Sequence, residues 1–197
     1  MKQNKKWIGT ILLSSALLLG ACGTDEVNES TITDTNQTTT DDTSSGSGDH
    51  GGMMHDESGE IPEGLEEAEN PTYPVGSEVT IQADHMPGMR GATGEIVGAF
   101  DSIAYEITYT DNETGEEVSN HKWIVHKEIE NSQEEPYQTS DEVVLEADHM
   151  PGMQGATATI DSAEDTSVYM ITYIDTETGD TVENHKWLTE DELEPAE

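Results

Sequence analysis

The sequence predicts an all-β protein: two tandem small barrels, SH3-like or OB-like in plan, behind a disordered N-terminal tether. Three observations predict it. Residues 78–130 lie on residues 142–194 without a gap, and 30 of those 53 positions are identical, so one module occurs twice. Apolar side chains then recur at period two, at Tyr105, Ile107 and Tyr109 and again at Tyr169, Ile171 and Tyr173, which gives each strand one core face. Turn chemistry punctuates both copies: Asp111 to Gly115 and Asp175 to Gly179 read as hairpin connections with Gly placed for positive φ. Four or five short strands in about 55 residues is the pattern of a small antiparallel barrel.

Residues 1–21 read as an export signal. Lys2, Lys5 and Lys6 form a positive start, and the apolar run from Trp7 to Leu19 is short of the ~20 residues that span a bilayer. It ends Leu19-Gly20-Ala21-Cys22, which resembles the lipobox of bacterial lipoproteins. That resemblance implies a diacylglycerol- or palmitate-bearing Cys22 and cleavage just before it; the alternative is a plain secretory signal. Two acyl chains anchor stably where one binds only marginally, so the expected protein is tethered rather than spanning.

Residues 22–72 are rich in Thr, Ser, Gly and acid, with almost no large apolar residue, and cannot offset the entropy of ordering. As a coil, such a tether extends roughly 40 Å. Within it His50, Met53, Met54 and His55 fall in six residues, either a flexible auxiliary metal-capture site or a chance cluster.

The first module is expected over 73–131. Val79 to Ala83 alternates as a strand, another strand runs around Ile96, a third carries Tyr105 to Tyr109, and a fourth covers Val118–Val125. The second module, over 137–197, repeats these as Val143 to Ala147, Ile160, Tyr169 to Tyr173 and Val182–Leu188. Residues 131–140 are a polar linker, and only Glu190 to Leu193 suggests a helical turn.

The chain has 7 basic against 43 acidic residues, a balance that excludes nucleic acid and suits a cation-attracting protein held outside a membrane. Cys22 is the one cysteine, so neither a disulfide nor a Cys-based zinc site can form.

The repeated chemistry is Asp84-His85-Met86-Pro87-Gly88-Met89 with Asn120-His121-Lys122-Trp123, returning as Asp148 to Met153 and Asn184 to Trp187. Thioether sulfur is soft and uncharged, so a Met-rich site selects Cu(I) or Ag(I) over Zn(II), Mg(II) or Ca(II). Outside the cell it also resists oxidation better than a thiolate. Met86 and Met89 flank a Pro-Gly bend that can bring both sulfurs to one point. The expected ligands are His85, Met86, Met89 and His121, then His149, Met150, Met153 and His185. Trp123 and Trp187 share a strand face with their histidines, either as shields over a cation or as packing. Each methionine equally suits a hydrophobic plug, and each turn histidine a hydrogen-bonding cap. Asp84 and Asp148 suit turn caps, and Lys122 and Lys186 are expected in solvent.

At these residues, over roughly 75–194, the chain resembles the YdhK/CopL-like lipoproteins, a family with tandem modules bearing ADHMPGM and NHKW motifs. The resemblance implies a lipoprotein of copper tolerance that binds Cu ions at the cell surface. The expected function is therefore a copper-binding lipoprotein, anchored through Cys22 on the extracellular face of the bacterial membrane. It would sequester Cu(I), or Ag(I), or pass it to a copper-exporting envelope protein. The rival is an SH3-like interaction module that binds wall polymer or an envelope protein with no metal role. No nucleophile–base pair recurs in the two copies, so the expectation is binding rather than catalysis.

Overall fold

In a computed structural model, residues 56–196 are described. The expected signal peptide, Cys22 and the cluster His50, Met53, Met54 and His55 lie outside them. In chain order the strands are β1 (Glu66–Glu67), β2 (Glu78–Ile81), β3 (Thr93–Thr110), β4 (Glu117–Val125), β5 (Glu142–Val144), β6 (Thr157–Ile174), β7 (Thr181–Thr189) and β8 (Leu193–Pro195). One-turn 3-10 helices, His126–Glu128 and Glu190–Glu192, follow β4 and β7. The protein is all-β, with two tandem repeats and no α-helix among the described residues.

Two 18-residue strands organise everything else. The stretch between Ile96 and Tyr105 contains no Pro or turn pair, so the two strands expected there run together as β3. The same happens in β6. β3 and β6 pair antiparallel from Gly94↔Tyr173 to Tyr109↔Ala158. The ladder shifts register between Ile96 and Gly98 and again between Glu106 and Ile107, which leaves Val97 and Asp161, equivalent positions of the two repeats, as bulges. The repeats are thus related by a pseudo-twofold axis across this ladder. The far edge of β3 carries β2, β1 and β4 in turn, and that of β6 carries β5 and β7.

The packing unit is not the repeat. One core combines Val79, Ile81, Met89 and Ile96 with Tyr169, Ile171, Tyr173, Leu188 and Leu193. Its counterpart combines Tyr105, Ile107, Tyr109, Ile124 and Ile129 with Val143, Leu145, Met153 and Ile160. Each takes the front half of one repeat and the back half of the other. β8 seals the first by pairing with β2, Ile81↔Leu193, and the bridge Ile129↔Leu145 does the same for the second. A third cluster between them holds Phe100, Ala104, Val125, Val168 and Met170 with Trp123 and Trp187. A lone 55-residue repeat buries too little surface for comfortable stability; exchanging halves gives both copies one larger interior.

Candidate functional site

The Met86-Pro87-Gly88-Met89 bend is a type II turn. Met89 N–H donates to the Met86 carbonyl (3.3 Å), and Gly88 takes φ +74° at the position where only Gly is unstrained. The second repeat does the same at Met150–Met153. Each turn is gripped by the hairpin of the opposite repeat: Thr176 N–H and Oγ1–H both donate to Gly88 O (2.9 Å), and Asn112 N–H donates to Gly152 O (2.9 Å).

This docking brings the two motifs together. His85, His121, His149 and His185, with Met86 and Met150, line one cavity of about 460 Å³. The His121 and His149 rings, from different repeats, lie 6.1 Å apart. Met89 and Met153 are elsewhere: both are fully buried in the two cores, because the turn reverses the chain and aims its last residue inward. Trp123 and Trp187 belong to the central core rather than to the cavity.

Lys122 and Lys186, expected in solvent, both line the cavity, and the Lys186 side chain is only 7% exposed. The alternation that placed them outside fails because Asn120 and Asn184 take positive φ and the β3–β4 and β6–β7 ladders shift register beside them. A cis peptide joins Lys122 to Trp123 and Lys186 to Trp187. His126 lies apart, bonded to the Tyr105 hydroxyl and the Gln133 carbonyl.

Two carboxylates hold two of the four cavity histidines, and each crosses the repeats. His149 Nε2–H donates to Glu128 Oε1 (2.7 Å), and Glu128 Oε2 accepts from Trp187 Nε1–H (3.0 Å) and Val125 N–H (2.9 Å). His85 Nε2–H donates to Glu192 Oε1 (2.7 Å), and Glu192 Oε2 accepts from Trp123 Nε1–H (2.9 Å) and Thr189 N–H (3.0 Å). Burial would raise both carboxyls, but the histidines and the donated hydrogen bonds outweigh it and hold both below the ordinary range. An ionised carboxylate only accepts, so Nε2–H of each histidine is the donor and Nδ1 is the nitrogen turned away from the carboxylate.

Those Nδ1 atoms, of His85 and His149, are buried with no hydrogen-bond partner, as is His121 Nε2. Burial, then His149 and His85, push His121 down to about 4, so it is neutral at pH 7. Unpartnered buried nitrogens are costly and rare, and a carboxylate on the far side of an imidazole is the support that metal-binding histidines commonly have. Among the described residues, no three His, Cys, Asp or Glu side chains are already gathered at metal-binding spacing. The side chains that line the cavity combine imidazole with thioether.

Glu128 and Glu192 are absent from the set that motif reading yields. Their signal was present nonetheless: both are Glu at the same offset in the repeat alignment.

The comparisons with known proteins follow this repeat. Residues 75–126 and 139–190 each match the family model described as "Protein of unknown function (DUF1541)". The chain belongs to the DUF1541 family. A Bacillus subtilis (strain 168) member, named "Uncharacterized protein YdhK", is 47% identical over 193 residues, which covers 98% of this chain and 90% of its own. A crystal structure of that DUF1541 protein at 2.00 Å shares 50% identity with a TM-score of 0.69, covering 70% of this chain and 93% of the other. The solution NMR structure of the ydhK C-terminal domain from B. subtilis gives 50% identity and a TM-score of 0.59, over 62% of this chain and 92% of that one.

Proposed function

We propose that this DUF1541 protein binds Cu(I), and by the same chemistry Ag(I), in the single cavity its two repeats share. The observation that carries the reading is the pair of buried, unpartnered Nδ1 atoms of His85 and His149, each with its Nε2–H held by a carboxylate. Such histidines are pre-oriented: the carboxylate fixes Nε2–H, which leaves Nδ1 as the nitrogen that can face a metal ion. Met86 and Met150 in the same wall supply the soft ligands that favour Cu(I) over Zn(II). His121 Nε2 is a further neutral donor, and His185 completes the four-histidine lining. Glu128 and Glu192 fix tautomer and ring orientation and do not bind the ion. Met89 and Met153, in the cores, leave the ligand set. A pure interaction module leaves the unpartnered imidazoles of His85 and His149 without a reason.

With Cys22 acylated, the protein would hold copper on the extracellular face of the membrane, sequestering it or passing it to an exporting envelope protein. Titration of the mature protein with Cu(I), Ag(I) and Zn(II) against competing chelators tests the chemistry. Cu(I) and Ag(I) should bind far more tightly than Zn(II); equal Zn(II) affinity would overturn the soft-site reading.

A further inference from the structure

The cavity has two ends related by the pseudo-twofold axis, and they are not alike. At the second-repeat end, residues 56–60 cross its rim. Asp56 N–H donates to the His149 carbonyl (2.9 Å), and Asn184 Nδ2–H donates to the Glu57 carbonyl (2.9 Å). Lys186 Nζ donates to the Asp56 carboxylate (2.8 Å) and the Glu60 carbonyl (2.9 Å). Gly59, at φ +68°, passes so close beneath the Asn184 amide that a Cβ there would stand 3.0 Å from it. Burial would raise the Asp56 carboxyl, yet the bonds from Lys186 and Ser58 bring it to about 2, so the ion pair persists across physiological pH.

At the first-repeat end the same groups recur as the His85 carbonyl, Asn120 and Lys122, without such a segment across them among the described residues. Asn120 is exposed where Asn184 is half-buried, and His121 is half-buried where His185 is buried. Lys122 lies over the Trp123 ring, 4.7 Å from its centre, and its charge is felt by Glu164. At the second-repeat end, Phe100 of the first repeat takes the place equivalent to Glu164 and packs edge-on to Trp187, so no carboxylate of that position competes with Asp56 for Lys186. Glu106 lines the cavity where the equivalent Met170 is in the central core.

We infer that residues 56–60 are a strap that closes the second-repeat end, latched by Asp56 and Lys186, so that molecules exchange with the cavity through the end bounded by Asn120 and Lys122. The inference concerns access and holds whatever the cavity takes up, so it stands or falls separately from copper binding. It also assigns the two repeats different roles. The second repeat's Asn-His-Lys segment is a seat for the chain's own acidic segment, and the first repeat's is the doorway.

Histidine acylation by diethylpyrocarbonate, mapped by mass spectrometry on the metal-free mature protein, tests this without any metal. Local opening governs how fast a buried imidazole reacts, so His121 should be modified faster than His185, by about tenfold. Lys186→Met removes the latch, and Gly59→Val unseats the strap by steric strain from a position outside the cavity lining. Both variants should speed His185 by about tenfold and leave His121 unchanged. Equal rates at His185 and His121 in the unaltered protein overturn the inference, and so does an unchanged ratio in both variants.

Discussion

Met86 and Met89 show how much one position in a turn decides. They are chemically identical and three residues apart, yet Met86 lines the cavity and Met89 is fully buried among Val79, Ile81 and Tyr173. Truncation should therefore separate two properties. Met89→Ala should cost about 2–5 kcal/mol of stability, the usual range for a truncated core methionine. It should leave Cu(I) affinity per folded molecule intact. Met86→Ala should cost about 1 kcal/mol or less and weaken Cu(I) binding. Urea unfolding and chelator competition on the two variants read both quantities, and matching profiles would contradict the assignment. Motif reading could not choose between the two, because the burial of Met89 depends on a strand from the other repeat.

His121 makes the second residue-scale prediction. Its folded pKa is held down at about 4 by burial, His149 and His85, whereas the unfolded value is about 6.5. As pH falls through 6.5 the unfolded chain gains a proton that the folded chain refuses until about 4. Its contribution to stability is therefore lost progressively across that window and is constant above it. Glu128 and Glu192 have lowered values, so what they contribute is fully present above an unfolded carboxyl's pKa of about 4.3 and fails only below it. Between pH 7 and 5 the urea midpoint of the metal-free protein should fall, and His121→Gln should flatten that fall. An identical slope in the variant would remove His121 as its cause.

At the scale of elements, the Pro-Gly turn and the opposing hairpin form one unit. Asp111 Oδ1 accepts from Glu113 and Thr114 N–H, Asp175 Oδ1 does the same for Glu177 and Thr178, and these aspartates sit under Gly152 and Gly88. A Cβ on Gly88 would overlap the Asp175 carboxylate, while one on Gly91 meets nothing within 4 Å, although both residues have positive φ. Gly91→Ala should thus cost only the left-handed backbone term of about 1–2 kcal/mol. Gly88→Ala should cost clearly more and loosen the turn that positions His85 and Met86. Equal losses in urea unfolding would mean that the turn is not clamped. The turns, the hairpins and the Tyr-Ile-Tyr strands were all legible, because each is written in neighbouring residues. The fusion of two strands into β3 was not, since it depends on β6 pairing along the full length.

At the scale of the molecule, the repeat was plain in the sequence but its partnering was not. Period-two alternation says that Tyr105 and Ile107 face a core; it cannot say that the core is finished by Val143 and Leu145 rather than by Val79 and Ile81. That choice places four histidines in one cavity instead of two in each of two. It also explains why motif reading passes over Glu128 and Glu192: each meets its histidine only across the repeat boundary. A shared cavity makes the repeats inseparable in function. The most direct measurement is Cu(I) titration of the His85→Gln, Met86→Leu variant, in which Gln retains a donor for Glu192 and the second repeat is untouched. If both repeats build one centre, high-affinity binding should be lost throughout. Half of the wild-type equivalents, bound at wild-type affinity, would show two independent sites and contradict the shared cavity.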